Sequence, residues 1–112
     1  IFTACREGTL DKLDIRWKDK AACCLVLASG GYPLDYKKGY PISGLEEAGK
    51  SAVVFHAGTA EQDGQIVTSG GRVLGVTALG DTLDQAIDNA YAAAKPITFT
   101  DMHFRTDIGR AF

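Results

Sequence analysis

The residues best suited to chemistry stand together at Thr68-Ser69-Gly70-Gly71-Arg72, inside the stretch "VTSGGRVLGVTALG". Two hydroxyls, two glycine amides and a guanidinium make a dense set of donors. A guanidinium suits bidentate contact with phosphate or carboxylate, and a glycine-rich turn lets backbone N–H groups approach an anion closely. The stretch is neither of the common nucleotide loops. A mononucleotide loop continues with Lys and then Ser or Thr, whereas Val76 and Thr77 follow Gly75 here; the dinucleotide pattern Gly-x-Gly-x-x-Gly fails because Gly70 and Gly71 are adjacent. The plainer reading is a hairpin turn at Gly70-Gly71 and a close-packed strand at Gly75. The crowding of donors argues for an anion beside it.

The other reactive residue types carry less. Ser29, in "ASGGYP", lacks the Gly-x-Ser-x-Gly elbow of a nucleophile because Leu27 stands two residues before it; turn chemistry at Gly30 and Gly31 is the simpler account. His56 ends an apolar run and reads as a hydrogen-bonded structural histidine. His103 has no partner in sequence, and two isolated histidines give no metal-ligand spacing. Glu46-Glu47 reads as a solvated face. Cys5, Cys23 and Cys24 are odd in number and show no Cys-x-x-Cys spacing. Adjacent strand residues face opposite sides, so Cys23 and Cys24 do not pair, and reduced, partly buried thiols of a cytosolic protein are expected. No complete catalytic constellation emerges. A binding surface, or one wall of a larger active site, fits better than a self-sufficient enzyme.

The elements that must position these residues follow from periodicity. "IFTACREG" reads as the tail of a helix closed by Gly8; its lack of an N-cap suggests a piece of a longer polypeptide. "LDIRW" alternates like a short strand. "AACCLVLAS" (21–29) reads as a strand buried on both faces, and "SAVVFHAGT" (51–59) as a second buried strand. Between them lies a loop with one helical turn, capped by Ser43 with Glu46 as its capping-box partner. Asp63-Gly64 is a tight-turn dipeptide. With Gly70-Gly71 as a second turn and a strand over 72–79, three strands form an antiparallel meander. The clearest helix runs from a Thr82 cap, boxed by Gln85 and with Asp81 as the other candidate cap, to Pro96. Its apolar stripe is Leu83, Ala86, Ile87, Ala90, Tyr91 and Ala94. "ITF" reads as a last short strand and "RTDIGRAF" as a tail.

The 112 residues suit one domain. With 46% hydrophobic and 23% charged residues the chain is globular in composition, and a net charge of −2 leaves no electrostatic footprint for nucleic acid or an anionic membrane. No apolar run is long enough for a bilayer-spanning helix, and no secretory signal opens the chain. The expected fold class is α+β: a small antiparallel β-sheet or partly open barrel with one covering helix.

Five segments then carry a resemblance. "ASGGYP", "KKGYPISGLEEA", "VVFHAGT", "GGRVLGVTALGDTLDQA" and "FRTDIG" occur in an order and spacing that resembles the C-terminal domain of the phosphoribosylamine–glycine ligases, and the likeness runs from about Cys5 to Arg110. It implies a parent ATP-grasp ligase of de novo purine synthesis that joins phosphoribosylamine and glycine through a glycyl phosphate. It also implies a small β-rich domain similar to the C-terminal domain of biotin carboxylase, one that packs on the N-terminal and grasp domains and completes the substrate cleft. ATP and Mg2+ (or Mn2+) are then held by domains absent here, and the location is cytoplasmic. Residues 1–12 become the end of a linker helix and 13–112 the C-terminal domain. Ser69, Gly70, Gly71 and Arg72 become the substrate-binding turn, holding the ribose 5-phosphate or the acyl phosphate, and no catalytic or metal-ligating residue is expected. The chain alone is expected to be inactive, and an uncovered apolar face to cause self-association. The alternatives are a non-catalytic β-rich interaction module and a different ATP-grasp enzyme of the same architecture.

Overall fold

A computed structural model describes residues 1–110, so the last two residues of the expected tail lie outside the described residues. In chain order the elements are α1 (Phe2–Glu7), a 3-10 turn (Leu10–Lys12), β1 (Ala21–Ser29), α2 (Leu45–Gly49), β2 (Val53–His56), β3 (Thr59–Gln62), β4 (Gln65–Thr68), β5 (Arg72–Gly80), α3 (Leu83–Ala94) and β6 (Met102–His103). The main sheet is antiparallel, in the order β2-β5-β1-β6, and β3 and β4 pair separately as a hairpin. This is the α+β class expected, built as an open sheet with α3 across one face.

β1 and β5 pair along almost their whole length, from Ala21 opposite Gly80 to Ala28 opposite Arg72. Cys23, Leu25 and Leu27 point from β1 into the core, where they meet Val76, Ala78 and Leu74 of β5 and the Ala86, Ile87, Ala90, Ala93 and Ala94 stripe of α3. Seven of these side chains, counting Leu25, Leu27, Leu74, Val76, Ala86, Ile87 and Ala90, are wholly shielded from water. Apolar burial is the main stabilising term, and small alanines let α3 lie close on the sheet. Gly80 has the same role at the β5–α3 junction, where a Cβ would run into the backbone of Gln85 and Ala86.

α3 starts as the sequence indicates. Thr82 has extended backbone angles, and its hydroxyl accepts the Gln85 N–H at 3.2 Å, while the Gln85 side chain reaches back to the Asp81 N–H at 3.1 Å. Leu83, assigned to the apolar stripe, is instead 52% exposed, and Ala93 takes a core position. α1 ends on Gly8 at φ 72°, with Gly8 and Thr9 amides returning to Cys5 and Ala4 carbonyls. Neither α1 nor the 3-10 turn buries a residue. They stand off the body, and the radius of gyration of 16.4 Å exceeds the roughly 13 Å typical of a compact chain this long.

Several sequence expectations are corrected. β1 is buried on one face only: Ala22, Cys24 and Val26 alternate with the core residues and are exposed. β2 is an exposed edge strand that ends at His56, not a buried strand over 51–59. "LDIRW" forms no strand, and Trp17 is 85% exposed. α2 is capped by Gly44 at φ 86° without a side-chain bond, because Ser43 turns its hydroxyl to Thr98 instead. The Asp63-Gly64 turn is as expected, with both residues at positive φ. The meander is not formed: after β4 the chain crosses to β5, whose partners are β1 and β2. "ITF" contributes a single bridge, Ser43 to Thr98, and buried Ile97 and Phe99; the last strand is β6. No helix of the described residues is long and apolar enough to cross a membrane.

Candidate anion-contact site

The donor-rich segment is a crossover, not a hairpin tip. It carries the chain from Thr68, the end of β4, to Arg72, the start of β5. Neither Gly70 nor Gly71 adopts positive φ; close approach demands a glycine at Gly71 and favours one at Gly70. A Cβ on Gly70 would crowd Gly58, and one on Gly71 would fall inside the Tyr32 ring. The crossover is tied down from two sides. The Ser69 N–H donates to the Gly58 carbonyl at 2.8 Å. From β1, the Ser29 N–H donates to the Gly71 carbonyl at 2.7 Å, and the buried Ser29 hydroxyl donates to the Gly70 carbonyl at 2.8 Å.

These bonds sort the expected donors. The Ser69 amide is already used. Among the described residues the Gly70 and Gly71 amides donate to no protein acceptor. Thr68 is buried, and its hydroxyl accepts the Tyr40 N–H at 3.1 Å, so it does not belong with the donors. Arg72 is exposed and forms no ion pair among the described residues. The exposed Arg72 guanidinium, with no internal partner among the described residues, can accept an anion without breaking a bond first; Gly70 beside it is half-buried and Gly71 is buried.

Pairing register brings a further residue into the same row. Ala28 of β1 pairs with Arg72 on one side and with His103 of β6 on the other. Partners opposite each other on antiparallel strands share a face, so Arg72 and His103 flank the small Ala28 side chain. Together with Cys24, Val26, Tyr32, Phe104, Arg105 and Ile108 they line a largely apolar groove of about 340 Å³ on the sheet face away from α3. Arg105 is committed elsewhere. Its guanidinium grips Asp107 through two bonds of 2.9 and 2.7 Å, which holds the Asp107 carboxyl below the usual range and raises Arg105 further. Among the described residues Arg72 is therefore the guanidinium of the groove left free to bind. His103 and Tyr32 were not assigned to the site from sequence; only the β1–β6 register and the Tyr32–Gly71 contact place them there.

The remaining candidates are structural. His56 Nδ1 shares a 2.8 Å hydrogen bond with the Thr59 hydroxyl, as its sequence reading suggested. Cys5 and Cys24 are exposed and Cys23 is buried, all as free thiols, with burial pushing the Cys23 thiol up. Among the described residues no three of His, Cys, Asp and Glu gather as a metal site.

Beyond Arg72 the same sheet face is apolar. Val26 (43%), Val53 (56%), Phe55 (57%) and Leu79 (45%) are exposed on it. Phe55 pairs with Gly75, which in turn pairs with Val26. The missing side chain at Gly75 leaves a dimple between Cys24 and Phe55.

Comparison with known proteins agrees with this architecture. The chain is 49% identical over all of its length to the phosphoribosylamine–glycine ligase of Caldanaerobacter subterraneus subsp. tengcongensis, covering 27% of that protein. It is also 49% identical over 97% of its length to the ligase of the same name from Synechocystis sp., covering 26% of it. The chain thus spans about a quarter of the length of these curated relatives. A crystal structure of the phosphoribosylamine–glycine ligase of Thermotoga maritima superposes with a TM-score of 0.72 at 40% identity, over 79% of this chain and 22% of that one. The model of the phosphoribosylglycinamide synthetase C domain matches residues 22–111, and the chain belongs to that family.

Proposed function

We propose that this chain acts as the C-terminal domain of a phosphoribosylamine–glycine ligase. In that setting it completes the cleft in which ATP-driven condensation of phosphoribosylamine with glycine takes place, in the cytoplasm. The observation that carries the reading is the pairing of an uncovered apolar sheet face with an unpartnered guanidinium at its edge. An apolar face of this kind fits burial against another domain. Val26, Val53, Phe55 and Leu79 are the residues that the N-terminal and grasp domains cover, and α1 with the 3-10 turn, up to residue 12, is the end of the connection from them.

Docking of that face turns the Arg72 edge toward the cleft. The substrates and intermediate of this ligation are anionic: a phosphoribosyl group, a transferring phosphoryl group and an acyl phosphate. Arg72 and the Gly70 and Gly71 amides hold the ribose 5-phosphate or the acyl phosphate, with the Ser69 hydroxyl beside them. Fixed donors of this sort position reactants and stabilise developing charge. ATP and Mg2+ (or Mn2+) belong to the upstream domains in this reading.

The test is reconstitution. The chain alone, given ATP, Mg2+, glycine and phosphoribosylamine, is expected to form no glycinamide ribonucleotide. The full-length protein carrying it is expected to turn over. Product from the isolated chain overturns the reading.

A further inference from the structure

We infer that Tyr32 is a positioning residue for the ligation, acting through Gly71 to aim the Arg72 edge. This rests on the reading of Arg72 as the anion-contacting residue. The turn after β1 and the crossover before β5 form one clamp. The Ser29 amide and hydroxyl take the two glycine carbonyls, and the Tyr32 N–H returns to the Ser29 carbonyl at 3.2 Å. The Tyr32 ring then fills the space that a Gly71 side chain would need. A peptide carbonyl and the following N–H point in opposite directions. With the Gly70 carbonyl held toward Ser29, the Gly71 N–H is turned away from β1 and, among the described residues, has no protein acceptor.

Tyr32 does more than fill space. It is 41% exposed and lines the groove together with Arg72 and His103. Its ring meets Tyr36 edge-on at 6.1 Å between centroids, and Lys38 sits 5.9 Å above Tyr36. The loop therefore braces the ring from behind while its front closes the groove next to the free guanidinium. A residue needed only for the core would be buried. This one stands half in water, against the buried Gly71 backbone that leads into Arg72.

A double-mutant cycle in the full-length enzyme tests the assignment. Tyr32→Ala is expected to raise KM for phosphoribosylamine about tenfold and to leave KM for ATP and glycine within twofold. Gly71→Ala, whose new methyl must expel the ring, is expected to do the same. The double variant is expected to be no worse than either single one, because both remove one contact. Tyr32→Phe keeps the ring and is expected to restore KM. Additive effects, or equal rises in KM for all three substrates, overturn the inference. If Tyr32→Ala does not fold, the Tyr32→Phe and Gly71→Ala pair decides: a Gly71→Ala enzyme with unchanged KM for phosphoribosylamine overturns it. Arg72→Ala, run alongside, separates the two levels. Loss there with a silent Tyr32→Ala rejects only the positioning role, whereas silence at Arg72 rejects the underlying reading.

Discussion

Replacing Arg72 with alanine should damage catalysis while sparing the fold. The side chain is exposed and forms no ion pair among the described residues, so its removal orphans no buried partner. Surface changes of that kind alter stability by no more than about 0.5 kcal/mol, or a shift in Tm of under about 4 °C for a domain of this size. In the full-length enzyme the same truncation removes a charge-assisted contact to substrate, worth about 1.5–3 kcal/mol. That corresponds to a loss of roughly tenfold to over a hundredfold in kcat/KM for phosphoribosylamine. Arg72→Lys keeps the charge but not the two-pronged geometry and is expected to recover only part of the loss. Thermal melts of the chain and steady-state kinetics of the intact enzyme supply the two readouts. A normally folded Arg72→Ala enzyme whose kcat/KM stays within twofold of the parent refutes the assignment.

Four further outcomes follow from the packing. Leu25→Ala, at a fully shielded site in mid-sheet, should cost about 2–5 kcal/mol in denaturant unfolding, whereas Thr82→Ala, which deletes the α3 cap, should cost about 1 kcal/mol. In the native chain a thiol reagent should label Cys5 and Cys24 rapidly and Cys23 only on unfolding, since burial raises the Cys23 thiol and withholds its reactive thiolate. Finally, the isolated chain should self-associate through its bare sheet face, and Phe55→Glu, at a side chain 57% exposed there, should return it to a monomer in sedimentation experiments.

What could be read from the sequence depended on how local the deciding interactions were. The Thr82–Gln85 capping box, the Gly8 helix end and the Asp63-Gly64 turn each close within a few residues, and all three are present. The Ser43 cap failed because a residue 55 positions away, Thr98, offers its hydroxyl a bond. β1 looked buried on both sides because every residue of "AACCLVLA" is apolar; periodicity cannot separate a strand covered twice from one whose second cover belongs to another part of the protein. The donor cluster at 69–72 was legible from composition. Its setting was not, since the meander assumption joined β4 to β5 when both were destined for different sheets. Tyr32 and His103 reach the groove through a long-range contact and a strand register, and neither leaves a signature in nearby sequence.

The parity of β1 links the two halves of this protein. One set of alternate residues, Cys23, Leu25 and Leu27, builds the core with α3, and the other, Cys24, Val26 and Ala28, floors the groove. The register irregularity between Leu27 and Ala28 falls where these roles meet. Val73 is the extra residue opposite it and is wholly buried, while Arg72, the next residue back, emerges on the groove face beside Ala28. A bulge of this kind re-aims a side chain at the end of a ladder. Without it, the strict alternation of β5 would set Arg72 on the same side as Leu74, against the core. Deleting Val73 would bring Arg72 next to Leu74, where plain alternation itself sets the guanidinium on the groove face opposite Ala28; denaturant unfolding should show the loss of a buried valine, while kcat/KM of the full-length enzyme should be retained.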